Sequence, residues 1–228
     1  DGNITWMLTP DGELIIRGTG AMSDYEDFTD VPWNEHRSSI TKVTIKEGVT
    51  SIGNYAFRGC SNPTSITIPA GVTSVGVGAF LDCSSLTSIT IPESVTSIGV
   101  WAFSDCIDLI SIVVEESNAI YDSREGCNAI IETSSNTLVS GCSTTIIPNT
   151  VTSIRSYAFK GCSNLASITI PEGVTSIGGG AFSGCSNLTS IILPEGVTSI
   201  GGSAFFGCSS LTSITIPEGV TSIGGSAF

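Results

Sequence analysis

The chain has 228 residues, with 21 Asp and Glu against 8 Lys and Arg and a formal net charge of −13. No Lys or Arg follows Lys160, so the clustered basic footprint of a nucleic-acid binder is missing, and anionic membrane surfaces are disfavoured. No apolar run is long enough to span a bilayer, so direct membrane insertion is not expected. The acidity favours solubility and cationic partners.

Residues 1–39 do not repeat and read as an N-terminal capping segment. Ile4-Thr-Trp-Met-Leu8 and Glu13-Leu-Ile-Ile-Arg17 flank a Pro-Asp-Gly turn, which predicts a β-hairpin with Trp6, Leu8, Leu14 and Ile16 as its buried face. Asp24, Glu26, Asp27 and Asp30 form an acidic loop. Its spacing is not that of a calcium loop, so a solvated loop is expected and no metal. His36 is the sole histidine. With Ser38 or Ser39 and Asp30 it resembles a catalytic triad in composition only, because no nucleophile elbow or oxyanion-hole motif accompanies it.

From residue 40 a 23-residue block takes over: Phe57, Phe80 and Phe103 are 23 apart, as are Phe159, Phe182, Phe205 and Phe228. Such a period marks a solenoid whose repeats pack only on their neighbours. One copy carries about eight apolar residues, each worth about 1.5–3 kcal/mol when buried. Ordering its backbone costs roughly 1–2 kcal/mol per residue. A single rung therefore does not fold alone, and stacking supplies the deficit.

Each rung opens on Leu-x-x-Ile-x-Ile-Pro, as in Leu86–Pro92, whose alternation predicts a half-buried strand. The last apolar position recurs at Ile45, Ile68, Ile91, Val114, Ile147, Ile170, Leu193 and Ile216, in steps of 23 with one of 33. This predicts one parallel sheet of eight rungs. A Pro-Glu-Gly turn follows, then a short second strand Val-Thr-Ser-Ile-Gly, then Ala-Phe-x-x-Cys, read as one helical turn with Ala, Phe and Cys in the core. The long step, at about 115–147, lacks Val-Thr-Ser-Ile and Ala-Phe. Asn128–Thr133 and Thr137–Ser140 instead read as a β-hairpin projecting from or capping the stack. The chain stops at Phe228 in mid-repeat, so the protein is expected to continue.

Six of the eight cysteines recur three residues after each Phe. A ladder of small buried thiols is expected. Cys127 and Cys142 flank the hairpin and are the pair best placed for a bridge, the thiol state remaining open. With no Cys-x-x-Cys pair and one His, metal binding by cysteine is not expected, nor is any cofactor.

With the core turned inward, the outward positions of the first strand are Ser65 and Thr67, Ser88 and Thr90, Ser111 and Val113, Ser167 and Thr169, Ser190 and Ile192, and Ser213 and Thr215. They form the candidate ligand-binding ladder. Lacking Trp, Tyr and Arg, it suits weak, extended or multivalent contact. Glu172, Glu195 and Glu218 are expected to line one edge.

The pattern Leu-x-x-Ile-x-Ile-Pro-x-x-Val-Thr-Ser-Ile-Gly-x-x-Ala-Phe-x-x-Cys resembles the BspA-type leucine-rich repeat family, over roughly residues 40–228. The opening GNITWMLTPDGELIIRGTGAMSDY resembles that family's N-terminal caps, and YDSREGCNAIIET one of its variant rungs. Pro63, Ala70, Ser94 and Asn149 depart from the pattern, and the Asn ladder of ordinary leucine-rich repeats is absent. The resemblance implies a right-handed, mainly-β leucine-rich-repeat solenoid with a parallel sheet, over 40–228, behind a hairpin cap at 1–39. It implies a non-catalytic interaction module, secreted or at the cell surface, that adheres to host matrix proteins, glycans or other cells. The alternative is a passive spacer displaying another domain. A monomer is expected.

Overall fold

The computed structural model describes residues 3–26 and 29–228. The chain forms two compact units, Asp1–Leu109 with Val114–Ala119, and Ile110–Val113 with Ile120–Phe228. The fold is a mainly-β solenoid of stacked rungs with parallel ladders and almost no helix.

In the first unit, Thr5–Leu8 and Glu13–Arg17 form the expected antiparallel hairpin, with Leu8 opposite Leu14. Glu13–Arg17 then pairs in parallel with Lys42–Ile45, and that strand with Ile66–Thr67. Gly20–Ala21 starts a second ladder that continues through Val49–Ile52, Ser74–Val75 and Ser97–Ile98. The N-terminal segment thus supplies the first strand of both ladders. This corrects the expected buried face. Leu14 and Ile16 are fully buried, but Trp6 is 36% exposed and Leu8 half-buried. Among the described residues Thr5–Leu8 is the edge strand of its sheet, paired on one side only.

In the second unit, Tyr121–Asp122, Ala129–Glu132 and Thr137–Gly141 form an antiparallel meander with a register shift after Ile130. Thr137–Gly141 pairs in parallel with Ser153–Ile154, and the ladder runs on through Ser176–Ile177, Ser199–Ile200 and Ser222–Ile223. The hairpin therefore heads the second-strand ladder of this unit. The strand at Tyr121–Asp122 was not legible from the pattern.

The expected continuous eight-rung sheet does not form. Ser167–Thr169 pairs with Ser190–Ile192, but Thr144–Ile147 and Ser213–Ile216 adopt no strand. Next to the hairpin the strand bonding is diverted: the Ile146 N–H donates to the Cys127 carbonyl (3.1 Å) and the Thr144 hydroxyl to that of Ile110 (2.6 Å). At Ser213–Ile216 the apolar Ile214 and Ile216 are only partly buried.

The Ala-Phe-x-x-Cys segment is also not a helix. It is a run of turns in which Ala56, Arg58 and Cys60 N–H groups donate to Gly53, Tyr55 and Phe57 carbonyls. Tyr55 and Gly59 lie in the left-handed region, at φ 56° and 72°. A left-handed residue every fourth position prevents helical repetition. Ala, Phe and Cys are nonetheless core, at 0% exposure for Ala56, Phe57 and Cys60. The phenylalanines stack: Phe57, Phe80 and Phe103 at 5.6 and 5.5 Å in one unit, Phe159, Phe182, Phe205 and Phe228 at 5.0, 5.4 and 5.6 Å in the other. Trp33 extends the first stack into the cap. Its ring lies 5.8 Å from Phe57, and its indole N–H donates to the Ala56 carbonyl at 3.1 Å.

Two devices replace the missing Asn ladder. The turn after each first strand closes on itself, the Val72, Val95, Val174 and Val197 N–H groups donating to Pro69, Pro92, Pro171 and Pro194 carbonyls at 3.0–3.2 Å. Threonine hydroxyls then cross between rungs: Thr73 donates to the Thr50 carbonyl, Thr96 to Thr73, Thr175 to Thr152 and Thr198 to Thr175, at 3.1–3.3 Å.

Candidate interaction surface

The outward ladder stands where alternation places it. Ser65, Thr67, Ser88, Thr90, Val113, Ser167, Thr169, Ser190, Ile192, Ser213 and Thr215 are exposed; Ser111 is half-buried. Thr169 and Ile192 are paired across neighbouring strands of the second unit. That unit also presents Ile146, which occupies the same position of its rung and was missed. The missed signal was its place one residue before Ile147-Pro148. Ile146 is 76% and Ile192 80% exposed, by far the most exposed large apolar side chains among the described residues. Where pairing is lost after Ile146, a groove of about 410 Å³ opens between Thr145–Asn149 and Ser167–Thr169, with Glu125 at its rim.

The second-strand face is chemically different. Its threonine hydrogens are committed to backbone carbonyls of the preceding rung, so these hydroxyls meet solvent chiefly as acceptors. Glu172, Glu195 and Glu218 are exposed at one turn of successive rungs. Like charges about 5 Å apart in water oppose each other by about 1 kcal/mol or less, which the stack tolerates.

The cysteines are all free thiols. In regular rungs each thiol donates to the carbonyl of the previous rung's phenylalanine: Cys83 to Phe57, Cys106 to Phe80, Cys185 to Phe159 and Cys208 to Phe182, at 3.1–3.2 Å. Cys127 and Cys142 do not face each other as a bridge; their thiols point to the Ala129 and Asn128 carbonyls. Burial pushes Cys60 up to about 12, the Arg37 guanidinium opposing it, and pushes Cys83 and Cys106 up as well. These thiols are therefore protonated and poor nucleophiles at neutral pH.

In the acidic loop, the Asp24 carboxylate accepts the Asn54 backbone N–H at 2.8 Å and so joins the cap to the first rung; Asp27 lies outside the described residues. His36 is exposed, with its ring 6.3 Å from that of Trp6. The Ser39 hydroxyl donates to the His36 backbone carbonyl at 2.7 Å, so it is not aimed at the imidazole. Among the described residues, no three His, Cys, Asp or Glu gather as a metal site, and no helix is long and apolar enough to cross a membrane.

No curated protein matches the chain. Among solved structures, a leucine rich cell surface protein from Faecalibacterium prausnitzii A2-165 is 26% identical, over 98% of this chain and 83% of that one, with a TM-score of 0.53. The pneumococcal vaccine antigen PcpA is 18% identical over 98% of this chain and 76% of that one, with a TM-score of 0.62, a likeness of fold. The model of the BspA type leucine rich repeat region matches residues 35–133 and 130–228, and with the stacked Phe and Cys ladders this places the chain in the BspA-type leucine-rich repeat family.

Proposed function

We propose that this protein is a non-catalytic extracellular interaction module that adheres, through the outward face of its first-strand ladder, to a host matrix protein or another cell. The observation that carries this is the exposure of Ile146 and Ile192 on a face that is otherwise Ser and Thr apart from Val113. Short and β-branched side chains have little rotamer freedom to lose on binding, and an uncharged face makes contact that salt does not screen. The 26% identical relative named as a cell surface protein supports the location.

The test is binding of the purified protein to a panel of matrix proteins and mucosal glycans at low and high salt. A saturable, salt-tolerant signal that Ile146→Glu and Ile192→Glu weaken at least tenfold is expected. Silence across the panel, or a signal indifferent to both substitutions, would sink the reading and favour a passive spacer.

A further inference from the structure

The start of the first unit carries charge on its outward face that folding does not call for. From Ser65 onward the outward positions of the first strands are uncharged. The first rung instead has Lys42 where later rungs have serine, as at Ser65 and Ser88, and Lys46 where most have proline, as at Pro69 and Pro92. The backbone accounts for the missing proline and not for the charge. The Lys46 N–H donates to the Ile16 carbonyl at 2.9 Å, a bond proline cannot make. Glu115, the other departure at this position, makes the same bond to Ile91 at 3.0 Å, so an acid serves there as well as a base.

The cap adds a third cation. Ile16 is paired with Ile45, so Arg17 and Lys46 follow on neighbouring strands, one strand spacing or about 5 Å apart. Both are exposed, on the side opposite the buried Ile16 and Ile45. Like charges placed opposite each other across two strands are destabilising. Among the described residues neither takes part in an ion pair. Lys42, by contrast, is answered: its ammonium lies 2.9 Å from the Glu13 carboxylate, which also accepts the Thr44 hydroxyl at 2.6 Å.

These cations border a groove of about 560 Å³ whose lining includes Lys42, Thr44, Lys46, Glu47, Ser65 and Thr67. Lys42 and Lys46 are four residues apart on one extended segment, roughly 13 Å, with Thr44 between them. On the cap side Ile15, paired with Thr44, is half-buried, and Met7, paired with Ile15, is 42% exposed. One end of the face thus holds positive charge with no partner, its middle holds hydroxyls, and its flank holds two apolar side chains.

We propose that this face binds an acidic oligosaccharide through one carboxylate-bearing sugar. Arg17 and Lys46 bracket the carboxylate in charge-assisted hydrogen bonds. The Ser65 and Thr67 hydroxyls and the Glu47 carboxylate exchange hydrogen bonds with sugar hydroxyls, and Met7 and Ile15 meet an apolar C–H face. Two free cations are too few to hold a nucleic acid, whose affinity grows with the number of phosphates neutralised, and the net charge of −13 repels a polyanion. The site lies in the first unit and does not rest on the reading of Ile146 and Ile192.

The test titrates the whole protein by calorimetry, at low and high salt, with sialyllactose and with a glucuronate-containing tetrasaccharide. Lactose is the neutral control and inorganic phosphate the bare anion. Binding of at least one acidic oligosaccharide, weakened by salt, is expected, with none of lactose and phosphate at least tenfold weaker. Arg17→Gln with Lys46→Gln should weaken binding at least tenfold. The thermal midpoint should not fall, because the two charges oppose each other and glutamine keeps the Lys46 N–H. Lys46→Arg should retain binding. Ile146→Glu with Ile192→Glu should leave it intact, which separates this site from the outward face of the second unit. Binding of neither acidic oligosaccharide, equal binding of lactose, binding of phosphate alone, or wild-type binding in the folded double glutamine variant would overturn the proposal.

Discussion

Where rung meets rung, the backbones leave no room for a Cβ; where a rung meets the hairpin, they hydrogen-bond and still leave room for one. The difference shows at the residue after Val-Thr-Ser-Ile. In regular rungs it is glycine, and a Cβ there would fall 2.6 Å from Asn54 N at Gly76, 2.5 Å from Val77 N at Gly99, and 2.3 Å from Ser156 N and Gly179 N at Gly178 and Gly201. The N–H of this residue donates to the preceding rung's second strand, as Gly201 does to Ile177 at 2.8 Å. The rung that follows the hairpin has Arg155 instead, donating to Leu138 at 2.9 Å. The hairpin strand runs on extended through Gly141 and does not turn back beneath it. The glycine is thus required by the neighbouring backbone, not by the turn.

The largest effect follows. Gly201→Ala sets a methyl against backbone that cannot yield without parting two rungs, and should destabilise the second unit by about 4–5 kcal/mol, in the rare severe class of point mutations. Arg155→Ala should cost under about 1 kcal/mol. Chemical denaturation of both variants checks the contrast; equal losses would show that the glycine serves its own conformation.

The hairpin also changes what the phenylalanine stack rests on. The Phe159 and Phe182 N–H groups donate to the next rung's alanine carbonyl, and Gly141 does the same to Ala158 at 2.9 Å. Cys162 directs its thiol to the Gly141 carbonyl at 3.8 Å, as Cys185 does to Phe159. Gly141 is the phenylalanine position with its side chain removed, and the Phe159 ring fills the space 2.2 Å from where its Cβ would be. Gly141→Ala must push that ring, a side chain rather than backbone, so an overpacking loss of about 1–3 kcal/mol is expected, read as a lower thermal midpoint. A midpoint above wild type would show a cavity there instead.

The thiol ladder belongs to the regular rungs and makes them sensitive to alkali. Burial raises Cys60, Cys83 and Cys106 above their ordinary range near 9. Below that value both folded and unfolded thiols are protonated, and the stability is present in full. As pH rises through about 9 the unfolded chain loses protons that the folded one retains, so stability falls until the folded thiols ionise, at about 12 for Cys60. Each such thiol contributes at most about 1.4 kcal/mol per pH unit in that window. Denaturation midpoints should therefore be level across pH 7–8 and drop above pH 9, less steeply in Cys83→Ala. The same drop in that variant and wild type would remove thiols as its cause.

Much of this was legible because the repeat multiplies each signal. The period placed Phe, Cys and the inward Ile and Val correctly, since a residue stacked on its own copies meets the same environment in every rung. The pattern failed where a neighbour differs in kind. Trp6 alternates like a core residue but lies on the edge strand of its sheet. Thr144–Ile147 reads as a strand, yet its Ile146 N–H goes to the Cys127 carbonyl just ahead of the hairpin instead of to a neighbouring first strand. Ala-Phe-x-x-Cys has helical spacing, but its left-handed positions carry Tyr, Trp, Asp and Ser as well as Gly, so composition gave no warning. Of the candidate surface, alternation found the Ser/Thr ladder; Ile146 was hidden in the irregular rung.

The threonine row gives the smallest and most distributed effect. Its residues repeat in Val-Thr-Ser-Ile, and an exposed β-branched residue on a strand invites the reading that it serves solubility and β fitness alone. The structure gives the hydroxyl a partner: Thr198 donates to the Thr175 carbonyl at 3.2 Å, and Thr221 to Thr198 at 3.1 Å. Valine keeps the shape and the β preference while removing the donor, so Thr198→Val isolates the bond. The Thr175 carbonyl still accepts the Thr198 backbone N–H at 2.8 Å, and at an exposed site water takes the place of the hydroxyl, so the net loss should be about 0.5–1 kcal/mol. Thr152 heads the same row, donating to the Ser135 carbonyl in the hairpin at 3.1 Å, so Thr152→Val should cost as much as Thr198→Val if the hairpin is as firm a neighbour as a rung. A Thr152→Val loss near zero beside a measurable one at Thr198 would mark the hairpin junction as the more loosely held end of that ladder.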